Sequence, residues 1–171
     1  MLEEAKDRVF VAPAAGLPIS MLRRHREFGL KWGPEKIASM ESEVETVTNC
    51  MRDLHRRGVR VLPGGDYGAF ITNPIGENAK DLEHFVDLFG FSPMEAIIAA
   101  TRQGAELMRM EAATGQIRPG FFADFLVLDG NPLDDIRLLQ DQARILAVLK
   151  DGQFARRSHR LSEAVPKRQA A

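Results

Sequence analysis

The apolar and polar positions predict an α/β arrangement in the first part of the chain. Residues 8–12 are a short apolar run closed by Pro13, which is typical of a buried strand. In residues 35–57 apolar side chains recur every three or four positions, which predicts an amphipathic helix that ends before Gly58. Residues 59–62 predict a second short strand. Strand, helix and strand in this order form a βαβ unit, so we expect the two strands to be parallel.

Two more helices are predicted after the second strand. Residues 78–89 carry apolar side chains at helical spacing, with Asn78 as the expected N-cap. Ser92, followed by a proline and then by Glu95, is typical of a capping box, and it predicts one helix that continues to about Met110. With the two strands, these helices give the first part of the chain a mixed α/β composition.

The segment between the first strand and the long helix shows no clean period. Residues 13–34 contain several glycines and prolines, and we expect a long loop with a short helix around residues 21–28. A loop of this length in a compact domain is more often functional than idle. Its basic cluster, residues 23–26, would either contact an anionic substrate or remain solvated on the surface.

The last part of the chain has a different pattern, in which short strands alternate with turns. Strands are predicted at 123–128 and 144–150, and Asp151-Gly152 is a hairpin signal that leads into another strand. This pattern indicates a separate small sheet. The predicted division is 1–112 for the α/β part, 113–155 for the β-rich part and 156–171 for a frayed polar tail.

Composition and charge exclude several classes of protein. The 171 residues include 23 Lys and Arg against 24 Asp and Glu, so no net charge draws the chain to nucleic acid or to an anionic membrane. No apolar run reaches the ~20 residues of a membrane span. A single cysteine, Cys50, excludes an internal disulfide framework, and we expect it to be a small core residue. These features predict a cytoplasmic location, with neither nucleic acid nor membrane as a partner.

Asp66 is the strongest candidate for chemistry. It follows Gly64-Gly65 at the carboxyl end of the second predicted strand, the edge at which open α/β sheets and barrels host their reactions. A carboxylate there can bind a metal ion and act as a general base toward its water. The alternative is an ordinary turn in which the aspartate bonds to its own backbone, and from the local pattern alone this is the more frequent case.

The remaining candidates do not complete a metal site. Zinc sites need three or four ligands, whereas the four histidines form neither a His-x-His nor a paired helical motif. Each is expected to be structural. They are His25, His55, His84 and His159.

Three stretches together resemble the C-terminal part of a metal-dependent amidohydrolase, nearest to the imidazolonepropionase and prolidase-like branch. Gly58–Asp66 resembles the last barrel strand of that family, which commonly ends in Gly-Thr-Asp. Gly90–Thr101 resembles the helix that follows, with its Ser-Pro-x-Glu-Ala and Ala-Ala-Thr elements. Gly115–Ile136, continued by Val148–Gly152, resembles the return of the chain into a small β-sandwich.

The resemblance implies a fold and a role for Asp66. The family folds as a (β/α)₈ barrel with a β-sandwich, and the resemblance implies that this chain supplies the last two βα units followed by part of the sandwich. It also implies that Asp66 ligates a divalent metal, zinc being the expected ion, deprotonates the attacking water and passes the proton to the leaving amine. The substrate would be a small amide or cyclic amide. The other metal ligands of the family have no counterpart here.

Two departures from the family pattern stand near Asp66. Gly65 replaces the usual threonine, and Ile75-Gly76 stands where many relatives have His-Gly, which leaves the substrate range open.

The length of the chain shapes the functional hypothesis. A barrel needs about 200 residues or more and all eight strands. We therefore expect a C-terminal portion of an enzyme that hydrolyses carbon–nitrogen bonds, inactive as an isolated chain. The alternative is a non-catalytic half-domain that associates with a partner chain or with itself as a homo-oligomer.

Overall fold

A computed structural model of the chain describes residues 2–68 and 71–164, with side chains as far as Leu161. The mixed α/β composition is confirmed. Three short 3₁₀ segments, at Glu3–Ala5, Ile136–Gln140 and Gln142–Arg144, accompany the main elements. The main elements are β1 (Phe10–Val11), α1 (Gly16–Arg24), α2 (Pro34–Arg56), β2 (Arg60–Val61), α3 (Lys80–Asp87), α4 (Pro93–Ala100), α5 (Arg102–Leu107), β3 (Phe125–Leu128), β4 (Ile145–Lys150), β5 (Gln153–Arg157) and α6 (His159–Ala164).

The two first strands pair in parallel, as the βαβ order predicts. Phe10 lies opposite Arg60 and Val11 opposite Val61. The backbone N–H of Leu62 extends the pairing by donating to the Val11 carbonyl at 2.9 Å. Because the strands are parallel, both of their carboxyl ends, and the loops that follow them, lie at one edge of the pair.

The hydrophobic core lies between this strand pair and the helices α1 to α4. Phe85 on α3 is 1% exposed, and its ring packs against Phe89 and Phe91 at centroid distances of 5.4 and 4.7 Å. Residues that follow the two strands, Ala15 and Leu62, are also buried in this core, and their burial fixes the start of each loop. Its other buried members are Ala15, Ile19, Met51, Val61, Leu62, Leu82, Ala96, Ala99 and Ile136.

The capping box at the start of α4 is confirmed, whereas the single helix predicted beyond it is wrong. Ser92 Oγ accepts the N–H of Glu95 at 3.3 Å, and Glu95 Oε2 accepts the N–H of Ser92 at 2.8 Å. The helix breaks at Thr101, whose φ of −116° and ψ of −83° are not helical. The Thr101 hydroxyl donates to the Ile97 carbonyl at 2.6 Å, a local bond that competes with the helical pattern.

Three further expectations for the α/β part are corrected. The short helix of the first loop begins at Gly16, five residues before the predicted start, because Ile19 is drawn into the core. Cys50 is exposed, since the buried stripe of α2 passes through Thr48 and Met51 instead. Helix α3 begins after Ala79 without a side-chain cap, so Asn78 is not its N-cap.

The β-rich part forms an antiparallel sheet in the order β3-β4-β5. Asp151 and Gly152 both have positive φ, 53° and 75°, as a two-residue hairpin turn requires. The frayed tail predicted at 156–171 is wrong up to residue 164, because β5 pairs with β4 as far as Arg157 and α6 follows. Residues 165–171 lie outside the described residues. Among the described helices, none is long and apolar enough to cross a membrane.

Candidate functional site

Asp66 lies in the turn that follows β2, at the carboxyl end of the parallel pair. Its side chain is exposed and its φ is 55°, in the left-handed region. None of the described residues donates a hydrogen bond to its carboxylate. The ordinary-turn interpretation, in which this aspartate bonds to nearby backbone, therefore does not describe the geometry. The carboxylate is available to an external group.

A different carboxylate, that of Asp81 on α3, holds the turn. Asp81 is 6% exposed; its Oδ2 accepts the N–H of Gly64 at 2.9 Å and its Oδ1 accepts the hydroxyl of Tyr67 at 3.1 Å. Burial raises the pKa of the Asp81 carboxyl, because the charged form loses its hydration, while the bonds from Tyr67 and the turn backbone act in the opposite direction. The two donors flank Asp66 in sequence.

Asn73 holds the same turn from its other side. It is fully buried, its Nδ2 donates to the Gly65 carbonyl at 2.7 Å, and its Oδ1 accepts the hydroxyl of Ser20 at 3.3 Å. Its own carbonyl accepts the N–H of Gly68 at 2.7 Å. The loop after Asp66 is thus folded back onto the turn and bonded to α1.

The basic cluster of the first loop contributes a contact within the chain. Arg24 Nη1 donates to the Thr72 carbonyl at 3.3 Å and forms an ion pair with Glu77 at 2.8 Å. Lys80 also contacts Glu77, at 2.6 Å. Since α1 follows β1 and this loop follows β2, Arg24 ties together the segments after both parallel strands.

Gly65 is confined in this arrangement, and we predict that Gly65→Ala destabilises the fold. A Cβ at this position would stand 2.4 Å from Tyr67 Cε2 and 2.5 Å from Asp81 Oδ1, so the buried carboxylate and the ring would have to move. The expected loss is about 1–3 kcal/mol of unfolding free energy, the range for overpacking, measured by urea denaturation.

A glycine in open surroundings is the control for this prediction. In Gly104→Ala the nearest atom to the new Cβ is 3.8 Å away, and the site is inside α5, where alanine is favoured by up to about 1 kcal/mol. Equal effects of the two substitutions would contradict the confinement of Gly65.

His84 next to Asp81 makes stability depend on pH. It is 4% exposed, and its Nδ1 has no hydrogen-bond partner among the described residues and lies 4.0 Å from Asp81 Oδ1. Burial lowers the pKa of His84 to about 4. Below about pH 6.5 the His84 imidazole binds a proton in the unfolded chain, whereas in the folded chain it stays neutral until about pH 4. We therefore expect the contribution of His84 to the unfolding free energy to fall between pH 6.5 and 4, by up to roughly 3 kcal/mol, in urea titrations, while the raised pKa of Asp81 acts in the opposite direction.

A His84→Leu variant should lose this component of the pH dependence. The matched control is Val86→Ala on the same helix, half-buried and without a titrating group, which should lower stability equally at both pH values. A wild-type slope that His84→Leu leaves unchanged would assign the pH dependence to other groups.

The described residues do not by themselves fit a metal centre. No three His, Cys, Asp or Glu side chains among them come together. His25 stacks on Trp32 at 4.8 Å and its Nδ1 contacts the Leu22 carbonyl, while His55 stacks on Phe91 at 3.7 Å. With the burial of His84, these contacts agree with the structural roles expected for three of the histidines. Asp66 is not part of any such cluster among the described residues.

Sequence reasoning singled out Asp66, which stays a prediction, and it did not single out Asp81 or Asn73. For Asp81 a signal is present, since it lies one helical turn before Phe85 and beside Leu82, on the face that the apolar spacing of the helix predicts to be inward. For Asn73 no local signal exists, because its partners Ser20 and Gly65 come from separate segments.

Comparison with known proteins yields consistent matches. The sequence model described as the amidohydrolase family matches residues 1–155. The ochratoxinase of Aspergillus niger is 32% identical over 121 residues, 70% of this chain. Its crystal structure superposes with a TM-score of 0.71 over 87% of this chain, at 26% identity. A prolidase solved in complex with N-methylphosphonate-L-proline gives a TM-score of 0.74 over 92% of this chain, at 27% identity.

The matched region is a minor part of each relative. The chain spans 24% of the ochratoxinase sequence, 32% of the chain in the ochratoxinase structure and 37% of the prolidase chain.

Proposed function

Because the chain belongs to the amidohydrolase family, we propose that it is the C-terminal portion of an enzyme that hydrolyses carbon–nitrogen bonds. In this proposal, β1 and β2 with their following helices are the last two βα units of a (β/α)₈ barrel, and β3 to β5 belong to the small β-sandwich. The parallel pairing of β1 with β2 and the share of the relatives that is matched, 24% to 37%, support it.

Asp66 is the catalytic contribution of this segment. The observation that carries the assignment is its exposed carboxylate at the carboxyl end of β2, to which none of the described residues bonds; barrel enzymes place their reacting groups at this end of a strand. Asp66 accepts the proton of the attacking water and delivers it to the leaving amine. It is also the one metal ligand contributed here; a divalent ion, zinc in this proposal, would lower the pKa of the water when bound.

The substrate class follows from the relatives. The match to a prolidase favours the prolidase-like branch and a small amide or cyclic amide as substrate. The loop that follows Asp66 presents Ile71 and Ile75, which are 62% and 83% exposed, and the family resemblance implies a histidine in many relatives at the position of Ile75. An apolar substrate group is therefore preferred beside Asp66.

A chimera tests the proposal. The matched 37% of the prolidase that was solved with N-methylphosphonate-L-proline is replaced by this chain, and proline release from an Xaa-Pro dipeptide is measured with added zinc. The same prolidase without its C-terminal part is the control, and it should be inactive. We expect the chimera to release proline.

Two results would contradict the proposal. One is a chimera that folds, by circular dichroism, and releases no proline. The other is a defined metal-free homo-oligomer of the isolated chain, by sedimentation, whose partner face covers Asp66; this result would favour the non-catalytic half-domain.

A further inference from the structure

Two hydrogen bonds of Asp81 form a bracket around Asp66, whose own carboxylate is exposed. One oxygen of Asp81 takes the N–H of Gly64, two residues before Asp66, and the other takes the hydroxyl of Tyr67, one residue after it. Each bond joins α3 to the turn across at least 14 positions of sequence. One buried side chain is therefore bonded to the turn on both sides of Asp66, to the backbone of Gly64 and to the side chain of Tyr67.

Close contacts reinforce this bracket. The missing side chain of Gly65 lets Asp81 Oδ1 approach to within 2.5 Å of where a Cβ would stand, and Asn73 holds the Gly65 carbonyl at 2.7 Å. On both flanks of Asp66 the chain is thus bonded to buried groups, whereas its own carboxylate is exposed. A fixed backbone favours catalysis, because a reacting group that is misplaced by about 1 Å can lower the rate about a hundredfold.

The cost of burying Asp81 indicates that the bracket has a purpose beyond packing. A buried carboxylate loses its hydration, and an apolar residue at this position of α3 would pack at no such cost. The raised pKa of Asp81 reflects the same loss. What an apolar residue could not provide is two acceptor oxygens aimed at the two flanks of one turn.

We propose that Asp81 is a positioning residue, which sets the place of Asp66 through its bonds to Gly64 and Tyr67. The inference rests on the proposed role of Asp66 as the catalytic carboxylate. Asp81 touches neither substrate nor the reacting atoms; it acts by fixing the turn.

Amide hydrogen exchange of the full chain, followed residue by residue by NMR, tests the link without any activity. Asp81→Ala should speed the exchange of the Gly64 amide by about tenfold, the equivalent of one net hydrogen bond. Asp81→Asn should change it less than about threefold, because the amide oxygen can accept from Gly64 while its NH₂ donates to the Tyr67 oxygen.

Leu82→Ala, at the buried neighbour on α3, is the control for general loosening. It should speed amide exchange throughout the core, with no selective effect on the Gly64 amide. An Asp81→Ala profile that matches the Leu82→Ala profile would overturn the link between Asp81 and the turn.

Activity in the prolidase chimera tests the consequence of the link. Asp81→Ala should lower kcat by about a hundredfold with little change in KM, and Asp81→Asn should restore most of kcat. Loss of stability alone would lower the amount of active enzyme and would not be rescued selectively by asparagine. Unchanged kcat in Asp81→Ala overturns the inference and leaves the proposed function intact. Activity that survives the substitution of Asp66 itself overturns the proposed function. In that case the exchange experiment still decides whether Asp81 holds the turn.

Discussion

Replacing Asp66 by asparagine in the prolidase chimera is expected to lower kcat/KM for proline release by roughly 10²–10⁴-fold, the range for loss of a general base. An amide has no basic oxygen to accept the proton of water, and it binds a divalent cation more weakly than a carboxylate does. The fold should be unaffected, because no described residue bonds to the Asp66 side chain and its exposure leaves room for an amide. Initial rates of proline release, at matched concentrations of folded protein, measure the effect.

Asp134→Asn is the matched control for this prediction. Asp134 is exposed, and its side chain makes no hydrogen bond with the described residues, so the same change of charge is made outside the proposed site. It should leave kcat/KM within about twofold, since isolated surface charges contribute little. Similar rates for the Asp66 and Asp134 variants would remove Asp66 from the mechanism.

Phe85→Ala should be the most destabilising single substitution in the core. The Phe85 side chain is 1% exposed, and its ring lies against those of Phe89 and Phe91, which belong to the segment joining α3 to α4. Removing it deletes a large apolar surface and leaves a cavity that fixed neighbours cannot fill. We expect a loss of about 3–5 kcal/mol in the free energy of unfolding, measured by urea denaturation.

Phe154→Ala makes the same chemical change on the surface. Phe154 lies on β5, is 53% exposed and contacts Arg157 through its ring face. The expected loss is below about 1 kcal/mol, since most of this ring already faces water. If both variants unfold at the same urea concentration, the assignment of Phe85 to the centre of the core is wrong.

Local patterns in the sequence were sufficient for much of the fold. The spacing of apolar residues in α2, the glycine at its end and the strand on each side predict the parallel pair, because each signal acts over a few residues. The capping box of α4 is equally local, since Ser92 and Glu95 are three residues apart and bond to each other. The position of Asp66 could be predicted for a related reason, as it follows directly from the end of a strand.

Features that depend on distant segments could not be predicted. Asp81 and Asn73 acquire their roles only when α3, α1 and the loop after β2 meet, and neither neighbours Asp66 in sequence. The break at Thr101 could not be predicted either, since the alanines and isoleucines before it favour a continuous helix. The bond from the Thr101 hydroxyl to the Ile97 carbonyl is one of several that a threonine side chain can make.

The hydrogen bond of Tyr67 has a practical consequence for following the turn in solution. Tyr67 is the only tyrosine of the chain, and its ring adjoins Asp66 while its hydroxyl meets a carboxylate. Once the contribution of the single tryptophan, Trp32, is subtracted, the near-ultraviolet dichroism of tyrosine therefore comes from one place in the molecule. A small compound that settles against Asp66 would alter this optical signal, so candidate substrates can be screened with unlabelled protein before any turnover is detected.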